Sequence, residues 1–287
     1  MRNLLAAAAM MAICAPVAAR EDSGHAGHAD HDAATFMEHH AEALAGALNH
    51  PTRAEDRVRD QYRHPAETLA FFHVGPQMKV GEYAPGGGWY TRVLGHYLGG
   101  EGKLVGLYFD PTTGAFNAET QQGIRAGAAG FAAEAAEFTG LPATNFSGMT
   151  LETVPEGEAG TFDRILVFRM MHNLMRWNSA DSELKKMRDL LKPGGMLGIV
   201  QHRAPADASA EYANGSKGYL RQDDVVGFVE ALGFELVGSS EINANPQDNA
   251  YHPEGVWEMK PSWRTKRPEL ENIGESDRMT LLFIKRP

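Results

Sequence analysis

The sequence has 287 residues, of which 43% are hydrophobic, and it carries a formal net charge of -10. This length and this hydrophobic fraction suffice for one large domain, and the acidic balance argues against nucleic acid or an anionic membrane surface as a general partner. Cys14 is the one cysteine, which excludes a disulfide within the chain.

Residues 1–19 have the pattern of a secretory signal peptide. Arg2 supplies a positive start, Leu4–Val17 is an apolar stretch, and small residues end at Ala19 before a predicted cleavage site. The apolar stretch is shorter than the roughly 20 residues that cross a bilayer, which argues against a membrane anchor. We therefore expect an exported protein, periplasmic or secreted, without a stable membrane anchor.

Residues 20–33 form a His-rich tract that lacks large apolar residues. Such a composition predicts a flexible linker, because it offers no surface to bury in a core. His25, His28 and His31 could alternatively bind a divalent metal ion, since imidazole is a common metal ligand. Composition alone leaves both interpretations open.

Residues 34–76 are predicted to form an N-terminal helical cap. Apolar spacing predicts an amphipathic helix at 34–49, and Thr52 with Glu55 resembles a capping box that starts a second helix reaching about residue 63. This second helix is crowded with charged residues: Arg53, Asp56, Arg57, Arg59, Asp60 and Arg63. A solvated face with ion pairs along the helix is one interpretation, and a face that covers a polar cleft is the other.

From residue 77 to residue 287, apolar strands alternate with amphipathic helices. The predicted strands are 78–83, 104–109, 143–146, 162–168, 196–200, 234–237 and 279–284. This alternation is typical of an α/β fold with a doubly wound, mostly parallel sheet. Residues 243–276 form an insertion between the last two strands, and a loop of this length is either a wall or lid over a site or an excursion without a role.

The segment 80–90 combines an acid at a strand end with a glycine-rich turn and the start of a helix. Glu82 closes the strand, residues 86–88 are glycines, and Asp110 ends the next strand. Glycines let a ligand approach the backbone closely, and ligands of open α/β sheets bind beyond the carboxyl ends of the strands. The flanking strand and helix favour a ligand site over a tight turn that binds nothing.

Several motifs of this region can be compared with known families. Glu82-x-Ala84-x-Gly86-x-Gly88 resembles the first motif of class I S-adenosylmethionine-dependent methyltransferases. The strand 162–168 resembles their fourth strand, and the turn 190–197 resembles the turn before their fifth strand. The strand 277–283 resembles their seventh strand. Ala84 stands where the first motif has a glycine. More narrowly, residues 85–91 and 171–173 resemble a group of predicted exported bacterial methyltransferases.

This resemblance implies a Rossmann-like methyltransferase fold of seven strands and S-adenosyl-L-methionine as the cofactor. The implied cofactor-binding residues are Glu82, Ala84, Gly86 and Gly88 for the methionine part, Asp110 for the ribose, Phe146 and Ser147 after the third strand for the adenine, and Arg169 facing the methyl-transfer zone.

His172 and His202 are the predicted catalytic residues, since each follows a strand that opens on the ligand crevice. An imidazole there can take a proton from a methyl acceptor near neutral pH; each could instead simply be satisfied by a backbone carbonyl. The sequence thus predicts a methyltransferase with a small-molecule or cell-envelope acceptor. The cofactor is made in the cytosol, so a non-catalytic periplasmic protein that binds a ligand or metal on the same scaffold is the alternative.

Overall fold

The computed structural model describes residues 26–287, with side chains described from residue 33 onward. The predicted signal peptide and His25 lie outside the described residues, as do the side chains of His28 and His31. No helix within residues 26–287 combines the length and apolarity that crossing a membrane requires.

The described part of the chain alternates helices and strands from residue 79 onward. The helices are α1 (Ala26–His39), α2 (Ala41–Leu48), α3 (Asp60–Arg63), α4 (Pro65–Phe71), α5 (Trp89–Leu98), α6 (Ala118–Thr139), α7 (Met171–Arg176), α8 (Ala180–Leu190) and α9 (Gln222–Ala231). The strands are β1 (Lys79–Tyr83), β2 (Lys103–Tyr108), β3 (Phe146–Thr150), β4 (Phe162–Phe168), β5 (Leu191–His202), β6 (Phe234–Ser240) and β7 (Arg278–Lys285).

The seven strands form one sheet in the order β3-β2-β1-β4-β5-β7-β6. The strands from β3 to β5 in this order run parallel, and β7 lies antiparallel to both β5 and β6. The predicted doubly wound, mostly parallel, Rossmann-like sheet of seven strands is therefore confirmed. The strand order reverses between β1 and β4, and such a switch point leaves a crevice beyond the strand ends.

The central strands are apolar on both faces because helices cover the sheet on both sides. On β4, Ile165 and Val167 pack with α8 and α9, whereas Leu166 and Phe168 pack with the helices of the other face, which include α1, α2, α4, α5 and α6. This two-sided burial explains why β4 reads as an unbroken apolar run, and why its predicted bounds agree with the structure.

The N-terminal helix differs from its prediction at both ends. α1 begins at Ala26, so residues 26–33 of the predicted linker are helical, and Ala33 is buried. The predicted helix 34–49 is interrupted at His40, whose φ of -111° and ψ of 12° lie outside the helical region. The ring of His40 instead packs on Phe36, with ring centroids 4.5 Å apart.

The predicted helix from Thr52 is wrong. Residues Pro51–Arg53 and Arg57–Arg59 form separate 3₁₀ turns before α3. Thr52 caps no helix, because its hydroxyl forms a hydrogen bond with His96 Nε2 at 2.8 Å. The charged face is partly buried rather than solvated: Arg53 and Arg63 are 0% and 1% exposed, and Arg63 lies on a polar cavity, in agreement with the second of the two interpretations.

Candidate active site

A cavity of about 470 Å³ opens beyond the carboxyl ends of β1, β4 and β5. One wall is the turn after β1, and another is the chain that follows β4, together with His202 at the end of β5. Residues 256–262 of the insertion close a third side, which agrees with the interpretation of this loop as a wall. Arg59 and Arg63 complete the cavity from the N-terminal segment.

The glycine turn presents backbone rather than side chains to this cavity. Ala84 and Gly86 have φ angles of +51° and +59°, so the chain turns sharply after β1. A Cβ added at Gly87 would meet no atom within 4 Å, which shows that open space lies before it. Gly88 has a different role from the one predicted: a Cβ there would come within 2.4 Å of Phe138 Cε2, so its missing side chain makes room for packing and it does not line the cavity.

Glu82 presents a buried carboxyl to the cavity. Thr91 Oγ1 donates a hydrogen bond to Glu82 Oε2 at 2.7 Å, and the other carboxyl oxygen has no hydrogen-bond partner among the described residues. Burial raises the pKa of Glu82 to about 8, although the Thr91 hydrogen bond favours the ionised form. At neutral pH this carboxyl is therefore mostly protonated, and a cation placed beside it would favour its ionisation.

Asp110, predicted to hold the ribose, is not among the residues that line this cavity. Lys186 Nζ lies 2.5 Å from Asp110 Oδ2, while the backbone N–H and the hydroxyl of Thr112 donate to Oδ1 at 2.8 and 2.6 Å. Burial alone would raise the pKa of Asp110, but these hydrogen bonds outweigh it and lower the pKa. Both carboxylate oxygens are thus in use within the protein.

We expect Asp110→Asn to lower stability without weakening cofactor binding. The change leaves Lys186 without its charged partner, which costs about 1–3 kcal/mol in the free energy of unfolding. Because the pKa of Asp110 is lowered in the folded state, this difference is present above its ordinary value of 3.8 and disappears as the pH falls below it. Denaturant melts at pH 7 and pH 3, with titration of S-adenosylmethionine, test this. A loss of affinity with unchanged stability would instead return Asp110 to the ligand site.

Phe146 and Ser147 lie far from their predicted position. They begin β3 rather than follow it, because a 3₁₀ turn, Ala143–Asn145, occupies the place of the predicted strand. Phe146 pairs with Leu104 near the amino end of β2, whereas the cavity lies at the carboxyl ends. Phe146 and Ser147 therefore lie at the amino ends of the strands, away from the cavity at the carboxyl ends.

Three half-buried aromatic rings lie after β2 and α7, and sequence reasoning did not select them. Phe109 and Phe116 each contact Trp177, with ring centroids 5.0 and 5.1 Å apart. Phe109 also contacts Tyr83 at the end of β1, at 5.4 Å between centroids. The signal available in the sequence was the position of Phe109 directly after a strand that ends beside the glycine turn.

His172 and His202 face the same cavity, with ring centroids 5.7 Å apart. Gln201 uses its amide nitrogen to donate to the carbonyl of Gly218 at 2.8 Å, so its oxygen faces His172 Nδ1 at 3.4 Å. This arrangement assigns the proton of the His172 ring to Nδ1 and leaves Nε2 as an acceptor. Burial lowers the pKa of His172 to about 4 and that of His202 well below its ordinary value. Both rings are therefore neutral at physiological pH.

Arg169 reaches the cavity from an unusual backbone conformation. Its φ is +60°, which is rare outside glycine and tends to occur at functional positions. Its backbone N–H donates to the carbonyl of Val200 at 2.6 Å, which fixes the turn that follows β4. Burial lowers the pKa of the Arg169 side chain to about 10, so it stays charged near neutral pH.

Among the residues whose side chains are described, no group of three or more His, Cys, Asp or Glu is arranged to hold a metal ion. The metal site predicted at His25, His28 and His31 lies outside those residues and stays a prediction.

No protein-family model matches this chain, and no curated protein is found to be similar to it. Similarity is found to solved structures. An S-adenosylmethionine-dependent methyltransferase from Aquifex aeolicus is 15% identical with a TM-score of 0.49, over 88% of this chain and 98% of its own. A 1,6-didemethyltoxoflavin-N1-methyltransferase from Burkholderia thailandensis, solved with 1,6-didemethyltoxoflavin and S-adenosylhomocysteine, is 14% identical with a TM-score of 0.45, over 96% and 94%. The cyclase SpnF is 14% identical with a TM-score of 0.49, over 89% and 96%. At such identities the chemistry of the cavity must be argued from this chain's own residues.

Proposed function

We propose that this chain is an S-adenosylmethionine-dependent methyltransferase whose acceptor binds in the cavity beyond β1, β4 and β5. One observation carries the proposal: a glycine turn without side chains and a buried carboxyl, Glu82, face the same cavity as two neutral imidazoles and Arg169. That combination provides a place for a cationic amino-acid group beside polar groups suited to a second, reacting molecule.

The residues fit the methionine part of the cofactor. Glu82 has a free carboxyl oxygen toward the cavity, and Gly86 and Gly87 leave space for a ligand to pass over the backbone. Asp110 takes no part in this assignment, because Lys186 and Thr112 occupy its carboxylate.

The bound cofactor supplies a methyl group on a sulfonium, which is already activated for attack by a nucleophile. The protein's contribution is then to position the acceptor and to exclude water. His172 Nε2 is available to accept a hydrogen bond from an acceptor hydroxyl or amine. With its pKa near 4, His172 is a weak base at neutral pH, so its role is to orient the acceptor and to receive a proton only as the new bond forms.

Calorimetric titration with S-adenosylmethionine and S-adenosylhomocysteine tests the proposal. We expect saturable binding of both at one site, and transfer of a labelled methyl group to at least one member of a panel of small acceptors. Absence of binding by either compound to the folded protein would overturn the proposed function.

A further inference from the structure

Four arginines meet at one side of the cavity. Arg59 and Arg63 come from the N-terminal segment, Arg169 follows β4, and Arg278 begins β7. They surround the carboxylate of Glu275, which lines the cavity and is 5% exposed. We call these four residues the arginine cluster.

Glu275 is fully engaged by three members of the cluster. Arg59 Nε donates to Glu275 Oε1 at 2.7 Å, Arg63 Nε lies 3.2 Å from Oε2, and Arg278 Nη1 donates to Oε2 at 3.3 Å. Four guanidinium groups against one carboxylate leave three positive charges uncompensated within the cluster. Burial, with repulsion from neighbouring arginines as a smaller cause, lowers the pKa of both Arg63 and Arg169 to about 10.

Arg63 and Arg169 have guanidinium N–H donors that form no hydrogen bond with the described residues. Arg63 Nη1 is buried without a hydrogen-bond partner, although the residue is 1% exposed. The side chain of Arg169 forms no hydrogen bond or salt bridge with any described residue, and it lines the cavity. The unpaired buried donor of Arg63 is costly and is normally satisfied by a partner, while the half-buried Arg169 presents its guanidinium to the open cavity. The matching partner for a planar guanidinium is a carboxylate or a phosphate, which it binds through paired hydrogen bonds.

The other carboxyls on the cavity do not supply the missing charge. Asp56 is paired with Arg92, whose Nη2 donates to Oδ1 at 2.9 Å, and Glu82 accepts from Thr91. Glu82 also lies on β1, three strand spacings or about 14 Å from β7 in the sheet. Arg278 pairs with His202 across β5 and β7, whereas Arg169 follows β4, the neighbour of β1, and Arg63 lies 4.5 Å from the ring centroid of Trp89. The excess positive charge therefore extends along the cavity from β7 toward β1.

The geometry points to an anionic methyl acceptor: a small molecule whose carboxylate or phosphate group is bound by Arg63 and Arg169 of the arginine cluster. The assignment of this anion to the acceptor rests on the proposed function, whereas the anion site itself does not. An anion bound here shares one cavity with His172. A neutral acceptor would leave the cluster's charge unbalanced.

Inorganic phosphate is the first probe, titrated into the purified full-length protein by calorimetry with thermal melts in parallel. We expect phosphate to bind the wild type in a salt-sensitive manner and to raise its melting temperature. Arg169→Gln should weaken phosphate binding by at least about tenfold, the effect of one lost charged hydrogen-bond pair. Arg125→Gln is the matched control, since Arg125 forms a surface pair with Glu152 away from the cavity. If Arg169→Gln does not fold, Arg169→Lys takes its place, since lysine keeps the charge but loses the paired guanidinium donors. Phosphate that fails to bind, or that binds both variants alike, overturns the site.

A second experiment tests whether the anion bound by the arginine cluster belongs to the acceptor or to the cofactor, because the cofactor also carries a carboxylate. Wild type and Arg169→Gln are titrated with S-adenosylmethionine and with its decarboxylated analogue. Equal affinities of the wild type and Arg169→Gln for each of the two compounds support an anionic acceptor. A loss confined to S-adenosylmethionine assigns the anion to the cofactor and overturns the acceptor assignment. Phosphate binding without any S-adenosylmethionine binding would leave the anion site standing while the proposed function fails.

Discussion

Gly87→Val is expected to reduce the affinity for S-adenosylmethionine by at least about 100-fold, or about 2.7 kcal/mol. The added side chain would project into open space that belongs to the cavity, where the cofactor must pass over the turn. Gly87 is a better position for this test than Gly86, whose φ of +59° would add backbone strain to any substitution. The measurement is calorimetric titration, with a thermal melt to show that the variant is folded.

Gly157→Val is the matched control for this change. Gly157 also lies in an exposed turn, and a Cβ there would likewise meet no atom within 4 Å. The same glycine-to-valine change should leave both the melting temperature and the affinity near those of the wild type. If Gly87→Val bound the cofactor within threefold of the wild type, the turn after β1 would not be its binding surface.

Glu82→Gln is expected to stabilise the protein, increasingly so as the pH rises. In the unfolded chain Glu82 ionises around 4.5, but in the folded protein burial raises its pKa to about 8. Between these values the unfolded state is ionised while the folded state keeps its proton, so the wild type loses stability with rising pH. Glutamine has no such ionisation. The variant should match the wild type near pH 4.5 and exceed it by about 3–5 kcal/mol near pH 8.

Denaturant melts of both proteins from pH 4.5 to pH 8.5 measure this difference. Glu235→Gln, on an exposed position of β6, is the control, and its difference from the wild type should stay small at every pH. A Glu82→Gln variant that is less stable than the wild type at pH 8 would show that the buried carboxylate is ionised and paired in the folded state.

The sheet could be predicted from the sequence because its signals are local. Apolar runs such as 162–168 and glycine-rich turns such as 86–88 mark elements within a few residues of one another. The strand–helix alternation then restricts the possible folds to a doubly wound sheet. The errors at β3 and at α1 concern boundaries, where a 3₁₀ turn or a change at a single residue such as His40 leaves no clear pattern. The helix predicted from Thr52 is an error of a different kind, because separate 3₁₀ turns replace most of it.

The site could be predicted only in part because its partners are distant in sequence. Asp110 has the predicted place after β2, but Lys186, 76 residues later, takes its carboxylate. From the sequence alone, the arginines near residue 60 are expected to be solvated. Their partner is the carboxylate of Glu275, which is more than 200 residues away and cannot be recognised from local sequence. Gly88 illustrates a third reason: the motif pattern selects it, yet the atoms close to it belong to Phe138 and not to a ligand space.

The pairing of Arg59 with Glu275 spans 216 residues, and this separation has a consequence for the order of folding. Contacts between distant parts of a chain form late, because closing long loops costs entropy before any interaction offsets it. β7, which directly follows Glu275, must insert between β5 and β6 before the sheet is whole. During synthesis, the core strands β1 to β5 emerge long before this strand does. The scaffold of the cavity would thus form first, and the wall that carries the arginine cluster would be the last part of the molecule to assemble.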